Sequence, residues 1–280
     1  MQPRYYQQDA FDATIKYLTH EKGHPLIVIP TGGGKSKVLS MLTEHYLKAD
    51  GLNRVLIATH VETLIQQNYN TLIRESPLLS VGIYSRGLKR KDVEHRVIVA
   101  GVQSAFRNIN KLRFFNILII DEAHLLSPND ESMYQLMIAA LRSYNPNLRI
   151  IGLTATPYRM KGGLLTAGKN PTFTAISYSV SLIKLIEEGY LCSLRGKFST
   201  TQADLSEVKM IGGDLHQGQM QVVMKNERLT VAATKEVLLY KGNRRWLLVF
   251  CSGVEHAELV GVIFERYGLR NRVITAKTTA

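Results

Sequence analysis

Short runs in which nearly every residue is apolar punctuate the first 160 positions. They are Leu26-Ile27-Val28-Ile29, Val55-Leu56-Ile57-Ala58, Arg96-Val97-Ile98-Val99-Ala100, Ile117-Leu118-Ile119-Ile120 and Arg149-Ile150-Ile151-Gly152-Leu153. Runs of this length, rich in Val and Ile, are what strands buried on both faces require. Between them apolar residues recur at helical spacing, at Val61, Leu64, Ile65, Tyr69 and Leu72 and again at Met133, Leu136, Met137 and Ala140. This alternation predicts βαβ units, that is, an α/β fold whose parallel sheet carries helices on both faces.

The pattern changes near residue 160. Lys161-Gly162-Gly163 to Gly168-Lys169-Asn170-Pro171 reads as a connector, followed by a short helix from Ser181 to Glu188 that Gly189 stops. Positions 199–221 are polar and specify no clear element. From Asn226 the alternation resumes: a helix to Tyr240, a strand Trp246–Phe250, a helix Val254–Tyr267 ended by Gly268, and a strand Arg272–Thr275. The organisation expected is a first domain over 1–160, a connector over 161–189, and a partial second α/β domain over 190–280. No repeat of 20–50 residues and no low-complexity tract is visible.

Composition narrows the class. No apolar run approaches the roughly 18–20 residues of a membrane span, and Met1–Gln8 lacks the apolar stretch of a secretory signal. A cytoplasmic protein with no membrane partner is expected. Cys192 and Cys251 are too few for a disulfide framework and read as small buried hydrophobes. Across 280 residues, 35 Lys and Arg outweigh 23 Asp and Glu to leave +12, which favours a polyanionic partner such as nucleic acid.

The strongest chemical signal is Pro30-Thr31-Gly32-Gly33-Gly34-Lys35-Ser36, placed after a buried strand and opening a helix. Glycines let the backbone curl around phosphate oxygens, the helix N-terminus and Lys35 add positive charge, and the Ser36 hydroxyl can ligate Mg²⁺. Ile29 stands where the strict pattern has its first glycine. A nucleotide-binding loop needs a carboxylate on a neighbouring strand, and Asp121-Glu122 follows Ile117–Ile120 directly. Asp121 suits a metal ligand, and Glu122 a base for the attacking water.

Asp121-Glu122-Ala123-His124 together with Pro30–Ser36 resembles the ATPase signature of superfamily 2 helicases and translocases of the DEAH type. Arg4-Tyr5-Tyr6-Gln7 resembles the adenine-reading Q motif, which implies base contacts from Gln7 with Arg4 beside it. Thr59-His60 resembles motif Ia, and Val102-Gln103-Ser104 resembles the motif that touches the nucleic-acid backbone. Thr154-Ala155-Thr156-Pro157 resembles motif III, which implies that Thr154 and Thr156 couple nucleotide state to the other domain. For His124 the resemblance implies a role linking hydrolysis to the domain cleft.

Gly87-Leu88-Lys89-Arg90-Lys91, Glu187-Glu188-Gly189-Tyr190-Leu191 and Phe250–Ala257 make the chain similar to RadD-type DNA-repair ATPases and the motor parts of restriction enzymes. The resemblance implies a RecA-like P-loop NTPase over 1–160, an incomplete second RecA-like domain, ATP and Mg²⁺ as ligands, and DNA in preference to RNA. The family's second domain carries motifs V and VI, whose arginines reach the γ-phosphate. Neither occurs here, where only five residues follow Thr275. The expectation is a chain that binds ATP–Mg²⁺ and turns it over slowly unless another polypeptide supplies them. The alternative is a non-catalytic, nucleotide-dependent DNA-binding or adaptor module.

Two other features invite chemistry. His20-Glu21-Lys22-Gly23-His24 satisfies a zinc-protease pattern, but Gly23 and Pro25 oppose the helix that would align both histidines. The basic run Arg86, Lys89, Arg90 and Lys91 is either a solvated loop or a phosphate contact, with Lys89 and Arg90 as candidates.

Overall fold

The computed structural model describes residues 2–126, 132–159, 163–168, 171–211, 214–275 and 278. Positions 161, 162, 169 and 170 of the expected connector, and 276, 277, 279 and 280, lie outside the described residues. The strands are β1 (Pro25–Val28), β2 (Val55–Thr59), β3 (Val81–Ser85), β4 (Arg90–Lys91), β5 (Val97–Gly101), β6 (Ile117–Asp121), β7 (Arg149–Thr154), β8 (Tyr158–Arg159), β9 (Gly163–Leu164), β10 (Ala175–Ser179), β11 (Met210–Ile211) and β12 (Asp214–Leu215). The α-helices are α1 (Tyr5–His20), α2 (Lys35–Ala49), α3 (Glu62–Glu75), α4 (Val102–Arg107), α5 (Ile109–Leu112), α6 (Met133–Tyr144), α7 (Leu182–Glu187), α8 (Gln217–Met224), α9 (Glu227–Lys241) and α10 (Val254–Arg266).

The chain divides into two compact units, Met1–Ser193 and Leu194–Ala280. In the first, an eight-stranded sheet runs in the order β10-β1-β7-β6-β2-β5-β3-β4. Every pairing is parallel except β3 with β4. Successive residues of one strand feed opposite cores, as the period-two geometry requires. Leu56 and Ala58 face a cluster containing Ala105, Leu112, Met137 and Leu141, on α4, α5 and α6. Val55 and Ile57 face one containing Ala10, Leu39, Leu42 and Ile65, on α1, α2 and α3. Each fully buried Ile or Leu stabilises by about 1.5–3 kcal/mol, whereas an exposed pair such as Lys48–Glu44 contributes at most about 1 kcal/mol. The two cores hold this unit together.

The five strands expected here form, and the structure adds three to their sheet. β3 and β4 occupy one edge. β10 pairs with β1 on the other, inside the stretch read from sequence as connector. Its side chains are only partly buried, so it carries no continuous apolar run to announce it. The apolar face of α6 is rotated from the expected stripe. Tyr134, Met137, Ile138 and Leu141 are buried while Leu136 is 40% exposed, so the amphipathic Tyr134 belongs to the buried face and Leu136 does not. Cys192 is exposed rather than buried.

In the second unit α9 packs against α10, and Asn226 caps α9 by accepting from the Leu229 amide. The strands expected at 246–250 and 272–275 are corrected: neither segment joins a ladder among the described residues, and Trp246 and Phe250 are about 90% exposed. An apolar run becomes a strand only when a neighbour pairs its N–H and C=O groups, and none is described beside these. No described helix is long and apolar enough to cross a membrane.

Candidate functional site

Parallel strands align their C-terminal ends along one edge of the sheet, where ligands of open α/β sheets gather. Four neighbouring strands deliver the expected residues there. β1 runs into Thr31–Gly34 and α2, and β6 ends on Asp121. β7 ends on Thr154, and β2 on Thr59.

The loop after β1 is shaped by its glycines. Gly32 and Gly34 have φ of 80° and 84°, a region where a side chain is strained, and left-handed Gly34 opens α2. A Cβ on Gly33 would stand 2.6 Å from Ile29 Cγ2 and 3.0 Å from the Pro30 carbonyl, and one on Gly34 would collide with the Gln7 amide. No side chain caps the start of α2, so its first N–H groups are available to an anion.

Lys35 Nζ lies 3.5 Å from Glu122 Oε1, and the other carboxylate oxygen lies 3.3 Å from His124 Nδ1. His124 Nδ1 is also 3.0 Å from Thr154 Oγ1, which accepts from the Thr156 amide at 3.1 Å. One continuous contact path therefore joins Lys35, Glu122, His124, Thr154 and Thr156. The Lys35 and Glu122 side chains are 11% and 22% exposed, so their attraction is screened less than a surface pair's. Glu122 itself adopts φ 54°, ψ 52°. That left-handed conformation costs a non-glycine residue roughly 1–2 kcal/mol, the kind of strain that concentrates at working sites.

Ser36 and Asp121 are joined through a residue that sequence reasoning missed. Asn68 on α3 donates to Asp121 Oδ2 at 2.8 Å and accepts from Ser36 Oγ at 3.4 Å. Asn68 is 1% exposed on the buried face of α3, between Ile65 and Leu72, and an amide among those apolar positions was the available signal. Burial pushes the Asp121 carboxyl above its usual range; Asn68 opposes this, Glu122 reinforces it and Lys35 opposes it. Two buried hydroxyls nearby, Thr59 Oγ1 and Tyr134 OH, have no hydrogen-bond partner among the described residues. Glycines that leave room for phosphates, a lysine, a hydroxyl and carboxylate clamped together, and polar atoms without partners suit a hydrated divalent cation and a polyphosphate.

Gln7 is buried. Its Oε1 accepts from the Arg4 amide at 2.9 Å and its Nε2 donates to the Gly33 carbonyl at 3.1 Å, so it straps α1 to the glycine loop. Tyr6 OH donates to the same carbonyl at 2.8 Å. The role of Glu187–Leu191 was not legible in sequence. Tyr190 packs edge-on against Tyr6 at 5.2 Å, Arg4 lies 5.1 Å over the Tyr190 ring, and Tyr5 OH donates to Glu188 at 2.5 Å.

The remaining candidates lie at the end of β2 and on the segments that follow β2, β3 and β5, Arg90 in β4 and Gln103 and Ser104 in α4. Ser104 Oγ accepts from the Arg86 amide at 3.0 Å, and the Glu62 carboxylate occupies the space where a Cβ of Gly87 would fall. His60, Lys89 and Gln103 are exposed, whereas Thr59 is fully buried. Arg90 is committed to Asp92 at 2.6 Å and lies 4.9 Å over the Tyr69 ring. No cluster of three metal-ligating side chains occurs among the described residues. At the zinc-protease-like sequence α1 stops at His20, and His24 turns to Arg142 at 2.7 Å.

Fold and site together define a RecA-like P-loop domain of the superfamily 2 helicase type. Residues 1–159 match the ResIII family, described as the res subunit of type III restriction enzymes, and the chain belongs to that family. It is 28% identical over 287 aligned residues to IRC3 of Saccharomyces cerevisiae, named as an ATP-dependent helicase, covering 98% of this chain and 40% of that protein. It is 24% identical to the Escherichia coli type I restriction enzyme EcoAI endonuclease subunit, covering 91% of this chain and 33% of that one. This chain thus spans well under half of either relative. The type ISP restriction-modification enzyme LlaGI, solved as a nuclease-deletion mutant with a DNA substrate mimic, shares the fold. Its TM-score is 0.51 at 12% identity, over 95% of this chain and 26% of that chain.

Proposed function

We propose that this chain is the ATP-binding motor part of a DNA helicase or translocase that hydrolyses ATP with Mg²⁺ in DNA restriction or repair. The observation that carries the reading is the glycine loop whose Lys35 stands 3.5 Å from Glu122. Membership of the ResIII family supports it. Thr31, Gly32, Gly33, Gly34 and Lys35 would cradle the phosphates, and Arg4, Gln7 and Tyr190 would lie beside the base. Ser36 and Asp121 would hold Mg²⁺, which when bound neutralises phosphate charge.

Glu122 would orient the attacking water. As the water's oxygen bonds to the γ-phosphorus and the bond to the ADP bridging oxygen breaks, the water's proton passes to Glu122. His124, Thr154 and Thr156 would carry the state of Glu122 towards the second RecA-like domain, of which residues 190–280 are read as a part. Arginines of the motif VI type would complete the γ-phosphate site. His60, Gln103, Ser104 and Lys89 would grip the strand backbone without reading its sequence.

Glu122→Gln tests the chemistry. Its amide fills the same space and takes no proton, so DNA-stimulated turnover should fall about 10²–10⁴-fold while ATP binding persists. Equal turnover by the variant would remove Glu122 from the reaction.

A further inference from the structure

Asn68 is a polar residue placed where α3 buries its apolar side. It is 1% exposed, with Ile65 and Leu72 buried on the same helix. An amide taken out of water costs free energy unless its polar ends are bonded. Both ends are: Nδ2 donates to Asp121 Oδ2 at 2.8 Å, and Oδ1 accepts from Ser36 Oγ in a longer contact of 3.4 Å. The three residues come from α3, the end of β6 and the first turn of α2, so these bonds serve no single element. Leucine would fill much the same space, so the amide is explained by its two partners.

The polarity of the arrangement is fixed by chemistry. An ionised carboxylate only accepts, so the amide nitrogen faces Asp121 and the amide oxygen faces Ser36. The Ser36 hydroxyl then donates its one hydrogen to Asn68 and retains its lone pairs. The other oxygen of Asp121, Oδ1, accepts from the Glu122 amide at 3.1 Å. Each carboxylate oxygen is thus held by a donor and keeps a further lone pair. A hard divalent cation is bound through oxygen lone pairs, and a hydroxyl that aimed its hydrogen at the cation would oppose binding.

We propose that Asn68 is a positioning residue for the Mg²⁺ of the nucleotide site: its amide engages the Ser36 hydrogen and steadies the Asp121 carboxylate, so that both offer lone pairs to one cation. This rests on the ATP–Mg²⁺ reading above and adds to it the residue that orders the metal's two protein ligands. Asn68 acts through those two side chains and takes no part in bond making.

Asn68→Leu in the full chain tests it by calorimetry with a non-hydrolysable ATP analogue, once with Mg²⁺ and once with EDTA. Wild type should bind the analogue more tightly with Mg²⁺. The variant should bind about 10–100-fold more weakly than wild type with Mg²⁺, the usual cost of losing a group that orients metal ligands, and equally well with EDTA. In a Ser36→Ala chain, adding Asn68→Leu should cost less than it does in wild type, because one of its two partners is already gone. Should urea denaturation show the leucine variant unfolded, Asn68→Ser gives the same readout, since its hydroxyl is too short to span both partners and can bond within its own helix. Equal losses with Mg²⁺ and with EDTA would show that Asn68 only packs α3 against the sheet, and would overturn the proposal. So would unchanged affinity with Mg²⁺, or a loss undiminished in the Ser36→Ala chain. If wild type bound the analogue no better with Mg²⁺ than with EDTA, the ATP–Mg²⁺ reading would fall and this inference with it, a result seen in wild type alone.

Discussion

Gly34 concentrates two demands in one residue: its φ is 84°, and the space its Cβ would need belongs to the Gln7 amide. Gly34→Ala should therefore cost more than the roughly 1–2 kcal/mol of a left-handed backbone alone, and should also weaken binding of an ATP analogue. Gly242→Ala is the control, because Gly242 has φ 56° with open space around it. It should lower the denaturation midpoint and leave nucleotide affinity alone; equal effects on affinity would mean that only backbone strain matters. His24 offers a pH test at the same scale. Burial, then Arg142 and Arg149, lower its pKa from 6.5 to about 4. The folded chain then binds fewer protons than the unfolded chain between those values, so this contribution is present above 6.5 and lost on acidification towards 4. His24→Leu should flatten the fall of urea stability across that window. An unchanged slope would show that another group sets it. The loop lysine, the acid pair and His124 were legible as residues because their chemistry is bound to a fixed local spacing. Asn68 was not, since its partners Ser36 and Asp121 lie 32 and 53 positions away and meet only when α3 packs.

Strands built from unbroken apolar runs announce themselves, and those whose runs are interrupted or half polar do not. β1, β2, β5, β6 and β7 occupy interior positions of the sheet, where both faces need apolar side chains. β3, although buried, is interrupted by Gly82 and ends on the polar Ser85, and β10 is only partly covered, so neither carries that signature. At 246–250 the reverse holds: an apolar run is present, but no strand pairs with it among the described residues. Helix ends fared better because their signals are local: Ser181 accepts from the Lys184 amide at the start of α7, and Gly189 follows its end with φ 74°. The segment leading into β10 is anchored from β7, where a Cβ on Gly152 would stand 2.6 Å from Phe173 and 2.7 Å from Leu26. Gly152→Ala should cost about 1–3 kcal/mol by overpacking, read as a lowered midpoint in chemical denaturation. No loss would mean that Phe173 is not held against the sheet.

At the scale of the molecule, topology turns separate motifs into a site. Parallel pairing brings the ends of β1, β6, β7 and β2 to one edge although they lie up to 126 residues apart in sequence. Lys35 and Glu122 meet there at 3.5 Å. The positive net charge of 12 suits a polyanionic strand, and affinity for single-stranded DNA is expected to fall steeply with salt as released counterions lose their advantage. The most direct test of the account is calorimetric titration of the full chain with ATP, with Mg²⁺ and with EDTA, beside Lys35→Ala. The account predicts Mg²⁺-dependent binding by the wild type and at least a tenfold loss in the variant, the scale of one lost charged contact. Binding that is indifferent to both Lys35 and Mg²⁺, or no binding by the wild type, would contradict it.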